Sequence, residues 1–261
     1  MKQIEFNKNI VCFDHYKIEE NPSLRDFLES DLLIELIDSF KEKIIVVLGG
    51  DGTMLRSIKE NYEKNMPFLG INFGHKGFLL NSRDSINPNT DFVERKYPLL
   101  EIELETNGET KKAIAVNEID IRSGNGKMIS LDISLTKKQS INIEGDGILI
   151  STPAGSTGYN SSLGGPIIPH TLNAFVITPK APWKPKLQAP VLMRDDEIIE
   201  IKNVGRKNMA EIYFDSVEFF KSNEFNLKVQ KYKDNIRLLI GKDYLDTWDS
   251  KVLSEQGFLE K

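Results

Sequence analysis

Hydrophobic and polar positions keep one rhythm up to about residue 97 and another after it. Ile10 to Phe13 and the five residues Ile44 to Leu48 are continuous apolar runs, the pattern of strands buried on both faces of a parallel sheet. Between them Leu24, Phe27, Leu28, Leu32, Leu36 and Phe40 recur at helical spacing behind Pro22 and Ser23, with an interruption expected near Asp31. Met54, Leu55, Ile58 and Tyr62 predict a second helix over roughly residues 52 to 64, and Phe68 to Asn72 a further strand. The β-α-β-α-β order predicts an α/β domain over residues 1–96, an open, Rossmann-like parallel sheet covered by helices.

An Asn/Pro-rich segment, 81 to 92, separates this part from one of period two. Leu100-Glu101-Ile102-Glu103-Leu104-Glu105 alternates strictly and leads to Asn107-Gly108, a hairpin turn. Short strands follow at 112–116, 128–136, 141–150, 173–178, 197–202, 209–215, 217–221 and 225–230, and no long helical stripe falls between 97 and 233. This half is expected to be all-β, a sandwich of antiparallel sheets. Ile236, Leu238, Leu239, Tyr244, Trp248 and Leu253 mark a short apolar tail, 234–261, expected to pack back on the first domain.

Composition narrows the classes. A hydrophobic fraction of 39% with 28% charged residues allows a real core. A net charge of -5 argues against a nucleic-acid partner. The single cysteine, Cys12, lies in an apolar run and reads as a buried thiol without a disulfide framework. No stretch approaches the length of a membrane span and no signal-type segment opens the chain, so no membrane association and a cytoplasmic location are expected. Three histidines and one cysteine give no zinc-ligand cluster.

The strand Ile44 to Leu48 runs into Gly49-Gly50-Asp51-Gly52-Thr53, and helical spacing begins at once. Such a turn is a place to hold phosphate: glycines admit close approach, and unpaired N–H groups at a helix start attract anions. An acidic side chain would repel phosphate, so Asp51 points to a proton acceptor for a hydroxyl or a metal contact, with a helix cap as the plainer reading. The spacing fits neither a Walker A loop nor a GxGxxG fingerprint. Gly70, Gly74 and Gly77 space a second loop that should line the same crevice, where His75 and Lys76 either reach a phosphate or face solvent.

Asn117-Glu118 follows a predicted strand; it could bind ribose hydroxyls or an exocyclic amine, and turn chemistry explains it equally well. Less ordinary is the run from Gly145 through Asp146 to Ser162, extended by Gly164-Gly165-Pro166. Its Ser, Thr and Gly residues offer hydroxyl and N–H donors without bulk, which reads as a ligand-binding loop. Tyr159 stacks on a base, covers a ribose, or plugs the loop. Asp215-Ser216 is either a hairpin turn or a third acidic contact.

Together these loops resemble those of the NAD kinase family. Gly-Gly-Asp-Gly-Thr alone is shared with diacylglycerol, sphingosine and 6-phosphofructokinases. The loop Asn72 to Leu79, Asn117-Glu118 and the run Ser-Thr-Pro-Ala-Gly-Ser-Thr-Gly-Tyr make the similarity specific, and it covers nearly the whole chain. The length is similar to that of short bacterial members. The resemblance implies an α/β and an all-β domain with NAD between them. It implies phosphoryl transfer from ATP or polyphosphate to the 2'-hydroxyl of the adenosine ribose of NAD, giving NADP. A divalent ion, magnesium, would screen the donor's charge, although the sequence shows no dedicated metal cage. It also implies a homodimer or homotetramer in which a neighbour completes the site.

Carried over by motif position, Asp51 is the catalytic aspartate that activates the hydroxyl, within the phosphate-holding turn Gly49, Gly50, Gly52 and Thr53. The resemblance implies that Gly52, Asn72 and Phe78 would lie beside the adenosine end and that Asn117 and Glu118 would hold the other ribose and part of the dinucleotide. By the same resemblance Asp146 would bind an adenine of a neighbour's ligand or its own nicotinamide amide, and Thr157, Gly158, Tyr159 and Ser162 would line the dinucleotide site. The chain departs from the family pattern in three places. Pro179-Lys180-Ala181-Pro182-Trp183 lacks the family's histidine, Asp215-Ser216 replaces a late Asp-Gly, and Glu144 stands where a basic residue is frequent. The alternatives are a kinase of the same superfamily acting on a lipid or sugar phosphate, for which no apolar entry surface is visible between 99 and 165, and a non-catalytic dinucleotide sensor.

Overall fold

The computed structural model describes residues 1–6, 8–74, 77–136, 140–183, 187–203 and 208–242. The chain divides into two compact units, one of residues Met1–Lys96 joined by the strand Ile236–Gly241, the other Tyr97–Asn235.

In the first unit, β1 (Lys2–Phe6) and β2 (Asn9–Phe13) form a hairpin. Three short helices follow, α1 (His15–Glu20), α2 (Pro22–Leu28) and α3 (Asp31–Asp38). The apolar stripe is interrupted next to Asp31, as expected, where the side chain of Ser30 accepts the N–H of Leu33 as the cap of α3; Asn21 caps α2 in the same way through the N–H of Leu24. Then come β3 (Ile45–Gly49), α4 (Asp51–Asn61), β4 (Phe68–Asn72), β5 (Asn81–Ser82) and β6 (Phe92–Tyr97). The sheet order is β1, β2, β3, β4, Ile236–Gly241, β6, with β5 beside β4. Pairing is parallel from β2 to β4 and on to Ile236–Gly241, but β1 is antiparallel. The sheet is therefore mixed where a parallel one was expected. Two residues link β1 to β2, too few for the crossover that parallel strands require. β1 left no apolar signature because its positions are almost all exposed.

Every residue of β3 is buried, as a strand between two helical layers demands. Val46 and Leu48 join Leu24, Phe27, Leu33 and Leu36 of α2 and α3 in one cluster. Cys12 is fully buried, and burial pushes its thiol up to about 11. The strand Ile236–Gly241 lies in the first unit's sheet; Tyr244, Trp248 and Leu253 lie outside the described residues, as do His75 and Lys76.

The second unit contains β7 (Leu100–Thr106), β8 (Glu109–Ala115), β9 (Glu118–Ser123), β10 (Ile129–Leu135), β11 (Ile141–Gly145), β12 (Gly147–Ser151), the four-residue α5 (Tyr159–Ser162), β13 (Ala174–Lys180), β14 (Val191–Arg194), β15 (Ile199–Asn203), β16 (Ala210–Phe214), β17 (Val217–Ser222) and β18 (Phe225–Lys231). Two six-stranded antiparallel sheets, ordered β11-β10-β15-β18-β7-β8 and β14-β13-β12-β9-β16-β17, share one core. Alternation supplies it: Leu100, Ile102 and Leu104 meet Ile119, Ile121, Ile148 and Ile150. The run expected as one strand over 141–150 is split at Asp146, with β11 in one sheet and β12 in the other. Pattern reading misses β9, although it is central, because its alternate positions carry Asp120 and Arg122.

Asn81 fastens the returning strand. Its side chain is fully buried; Nδ2 donates to the carbonyls of Gly70 and Leu239 (both 2.9 Å), and Oδ1 accepts the N–H of Gly241 at 2.8 Å. Replacing Asn81 with leucine should cost about 3 kcal/mol, because buried backbone groups lose their partner. Denaturant unfolding measures this, and a change within error would mean that the ladder alone holds the strand.

Candidate active site

The turn after β3 is built in two layers. Gly49 is required by the fold: a Cβ there would stand 2.5 Å from Oγ1 of Thr53, which is itself buried beneath it. Gly50 and Gly52 are different. A Cβ at either would meet nothing within 4 Å, so neither is small for the sake of a protein neighbour. Gly50 is the N-cap of α4, and no side chain caps that end. The turn thus presents open backbone at a helix start, the surroundings an anion favours.

Asp51 is the first residue of α4, one position beyond the N-cap Gly50. Its carboxylate reaches the second loop: Oδ1 accepts the N–H groups of Phe78 and Leu79 at 3.0 Å, and Oδ2 accepts that of Phe78 at 2.9 Å. The N–H of Phe73 donates to the carbonyl of Gly49 at 2.8 Å, and Oδ1 of Asn72 accepts the N–H of Gly74 at 2.9 Å. A Cβ on Gly77 would lie 3.4 Å from both Asp51 Oδ1 and Asn72 Cγ. The structure therefore brings Gly49, Gly50, Asp51, Gly52, Asn72 and Phe78 to one place at the carboxyl ends of β3 and β4. That is the edge of an open α/β sheet where ligands bind.

In the second unit Asn117 and Glu118 stand at the start of β9, between β12 and β16. Thr152 holds this corner from one side, its Oγ1 donating to the carbonyl of Val116 (2.7 Å) and its N–H to that of Asn117 (2.9 Å). Gly155 permits the contact, since a Cβ there would land on the backbone of Asn117. Asp215 holds it from the other, accepting the N–H groups of Val116, Asn117 and Glu118. The turn at 215–216 is thus both a hairpin and an acidic contact, with a backbone as its partner.

The small polar run sorts into two classes that composition does not separate. Ser151, Thr152, Ser156 and Asn160 are buried and engaged with protein. Ser156 Oγ donates to Pro153 O and accepts the N–H of Ile168; Asn160 donates to Pro166 O and accepts the hydroxyl of Thr178 at 2.6 Å. Much of the hydroxyl and amide content read as ligand-facing is therefore internal scaffolding. Thr157 is half-buried, while Gly158, Tyr159 and Ser162 face outward on that scaffold. Asp146 is exposed at the step between β11 and β12, its N–H donating to Lys180 O at 2.9 Å.

Lys180, noted in the sequence only as a departure from the family, proves to be buried beside Tyr159. Its Nζ lies 2.8 Å from Asp120 Oδ1 and 5.0 Å from the centroid of the Tyr159 ring. Tyr159 is 42% exposed, so a cation backs its ring while the residue stays accessible to a partner. K180M should destabilise the protein by roughly 3 kcal/mol, the low end for a broken buried pair, because among the described residues Asp120 keeps only Arg122, at 3.9 Å, as a cation. The double variant D120N/K180M should recover most of that loss in denaturant unfolding. Equal instability of the single and double variants would show that the packing of Lys180, not its charge, matters.

Two family models match the chain: the ATP-NAD kinase N-terminal domain over residues 6–89 and the ATP-NAD kinase C-terminal domain over residues 116–238. The NAD kinase of Rickettsia typhi is 33% identical, the match covering 82% of this chain and 85% of that protein. The NAD kinase of Clostridium beijerinckii is 32% identical, covering 96% and 87%. Among solved structures, yeast NADH kinase complexed with NADH superposes with a TM-score of 0.76 at 19% identity, covering 96% of this chain and 87% of that one. An NAD kinase from Archaeoglobus fulgidus in complex with ATP gives a TM-score of 0.66 at 22% identity, covering 94% and 98%. The structural likenesses establish the fold; the matched domains and the identity to curated relatives over most of their length establish more, and the chain belongs to the NAD kinase family.

Proposed function

We propose that this chain transfers the terminal phosphoryl group of ATP to the 2'-hydroxyl of the adenosine ribose of NAD, giving NADP and ADP. The observation that carries the reading is the turn at Gly49–Thr53. It offers open backbone at Gly50 and Gly52 beside an uncapped helix start, and Asp51 is oriented by Phe78 and Leu79. The relatives named above are NAD kinases, and the two solved neighbours hold NADH and ATP, which supports the choice of both substrates.

In this mechanism the 2'-oxygen bonds to the γ-phosphorus as the bond from that phosphorus to the β,γ-bridging oxygen breaks. ADP leaves and Asp51 takes or aligns the hydroxyl proton. The start of α4 covers the phosphate charge. By family resemblance, Asn72 and Phe78 in the first unit would contact the adenosine end of NAD; in the second unit, Asn117 and Glu118 would contact the other ribose, and Asp146, Thr157, Gly158, Tyr159 and Ser162 would bind the dinucleotide, with Tyr159 as the stacking ring. Among the described residues no three His, Cys, Asp or Glu side chains converge into a metal site. The divalent ion of this proposal, magnesium, enters with the donor as MgATP and screens its charge. Inorganic polyphosphate is a second donor in this proposal, because open backbone at a helix start reads phosphates without needing a purine. The cytoplasm remains the proposed compartment: Cys12 is a buried free thiol, suited to a reducing environment.

Incubating the protein with NAD, magnesium and ATP and assaying NADP tests the reaction. D51N should lose about 10²- to 10⁴-fold in turnover with little change in NAD affinity or melting temperature, since Asn can still accept the loop N–H groups. G52A should keep or gain stability, by up to about 1 kcal/mol from helix propensity, and yet lose activity because its methyl occupies the open approach. Full turnover in D51N would end the assignment of Asp51 to the chemical step.

We also infer that the protein works as at least a homodimer, because the exposed loops at Asp146 and Tyr159 are small, polar surfaces that need a wall to close a pocket. Sedimentation at micromolar protein should show a species heavier than the 29.7 kDa chain. A fully active monomer would refute this.

A further inference from the structure

The hairpin between β16 and β17 is turned by Asp215 and Ser216, both at positive φ (47° and 66°), where two-residue hairpins ordinarily place Asn and Gly. Asp215 is nevertheless only 8% exposed, because its side chain folds back onto the neighbouring strand. Oδ1 accepts the N–H groups of Val116 (3.2 Å), Asn117 (2.7 Å) and Glu118 (3.2 Å), and Oδ2 accepts that of Val116 (3.1 Å). The N–H of Asp215 in turn donates to the carbonyl of Glu118 at 3.1 Å. With Thr152 donating to the carbonyls of Val116 and Asn117 from the opposite strand, the corner is fixed on both sides. One group is left out: Oδ1 of Asn117 is buried and has no hydrogen-bond partner among the described residues. A buried amide oxygen without a donor is costly unless something else supplies one.

We propose that Asp215 is a positioning residue of the dinucleotide site: by gathering the N–H groups of residues 116–118 it sets the direction of Asn117, whose side-chain oxygen is reserved for a hydroxyl of the bound ligand. Asp215 acts through the backbone and does not touch the ligand. The identity of that ligand as a dinucleotide ribose rests on the NAD kinase reading; the gathering of the three N–H groups does not.

The discriminating variant is D215G, which suits the positive φ of the turn while deleting the carboxylate. D215N keeps one oxygen for the same N–H groups and serves as the conservative rescue. Amide hydrogen exchange at 116–118, melting temperature, and the KM values for NAD and ATP are measured for the parent and both variants. In D215G, exchange at 116–118 should accelerate while KM for NAD rises at least about tenfold, the scale of loss for a misplaced binding group, and KM for ATP stays unchanged. D215N should fall between D215G and the parent, and it carries the same comparison if D215G does not fold. Faster exchange with an unaltered KM for NAD would make Asp215 structural only and overturn the proposal, as would unaltered exchange. Equal rises in both KM values would overturn it too, as a general loss of fold. A parent that makes no NADP but binds NAD in calorimetry would sink the kinase reading alone; D215G should then weaken that binding by the same factor, and unchanged binding would refute the positioning role. A parent that binds no NAD refutes both.

Discussion

Backbone N–H groups that leave a sheet ladder must find another acceptor, and at both loop clusters of this protein the acceptor is an aspartate from a distant part of the chain. Asp51 gathers the amides of Phe78 and Leu79; Asp215 gathers those of Val116, Asn117 and Glu118. A carboxylate suits the task because each oxygen can accept more than one N–H, and charged acceptors make stronger bonds than carbonyls. The loops that carry the site are therefore irregular in path yet defined in position. In the first cluster the anchoring carboxylate is also the group assigned to the chemistry, so orientation of the base and shape of the loop are one constraint.

Glycines at the first turn divide along a similar line. Gly49 is small because Thr53 occupies the space where its side chain would be, and Gly155 because Asn117 does. Gly50 and Gly52 have empty space beside them and ordinary backbone angles. In the proposed reaction this open space is what the phosphate donor uses. This distinction cannot be drawn from the spelling Gly-Gly-Asp-Gly, in which the glycines look alike.

The sequence was legible wherever burial wrote a period into it. β3, β4 and the alternating strands of the sandwich stand close to their expected places, because buried faces impose runs or alternation. β1 and β9 were not legible, for opposite reasons. β1 is an exposed edge with nothing to bury, whereas β9 buries one face but sets Asp120 and Arg122 on the other beside a motif that already read as a loop. The Gly49–Thr53 turn announced itself because an acid among phosphate-holding glycines is chemically odd. Asp215 did not, since an Asp in a turn most often serves its own backbone, and its true partner Asn117 lies 98 residues earlier. Lys180 and Asp120 are 60 residues apart and come together only through the pairing of β9, β12 and β13.

The strand Ile236–Gly241, held between β4 and β6 and fastened by Asn81, has a consequence for how the protein is made. A ribosome delivers β4 and β6 early and the strand that belongs between them only after the whole sandwich has emerged. Until then the first sheet is short of an interior member, and part of β4 is an unpaired edge exposed to other chains. The sandwich, whose strands are contiguous in sequence, meets no such delay. The order of assembly is thereby set: the half that begins first is completed last, and the nascent chain must keep an open seam from closing on the wrong strand.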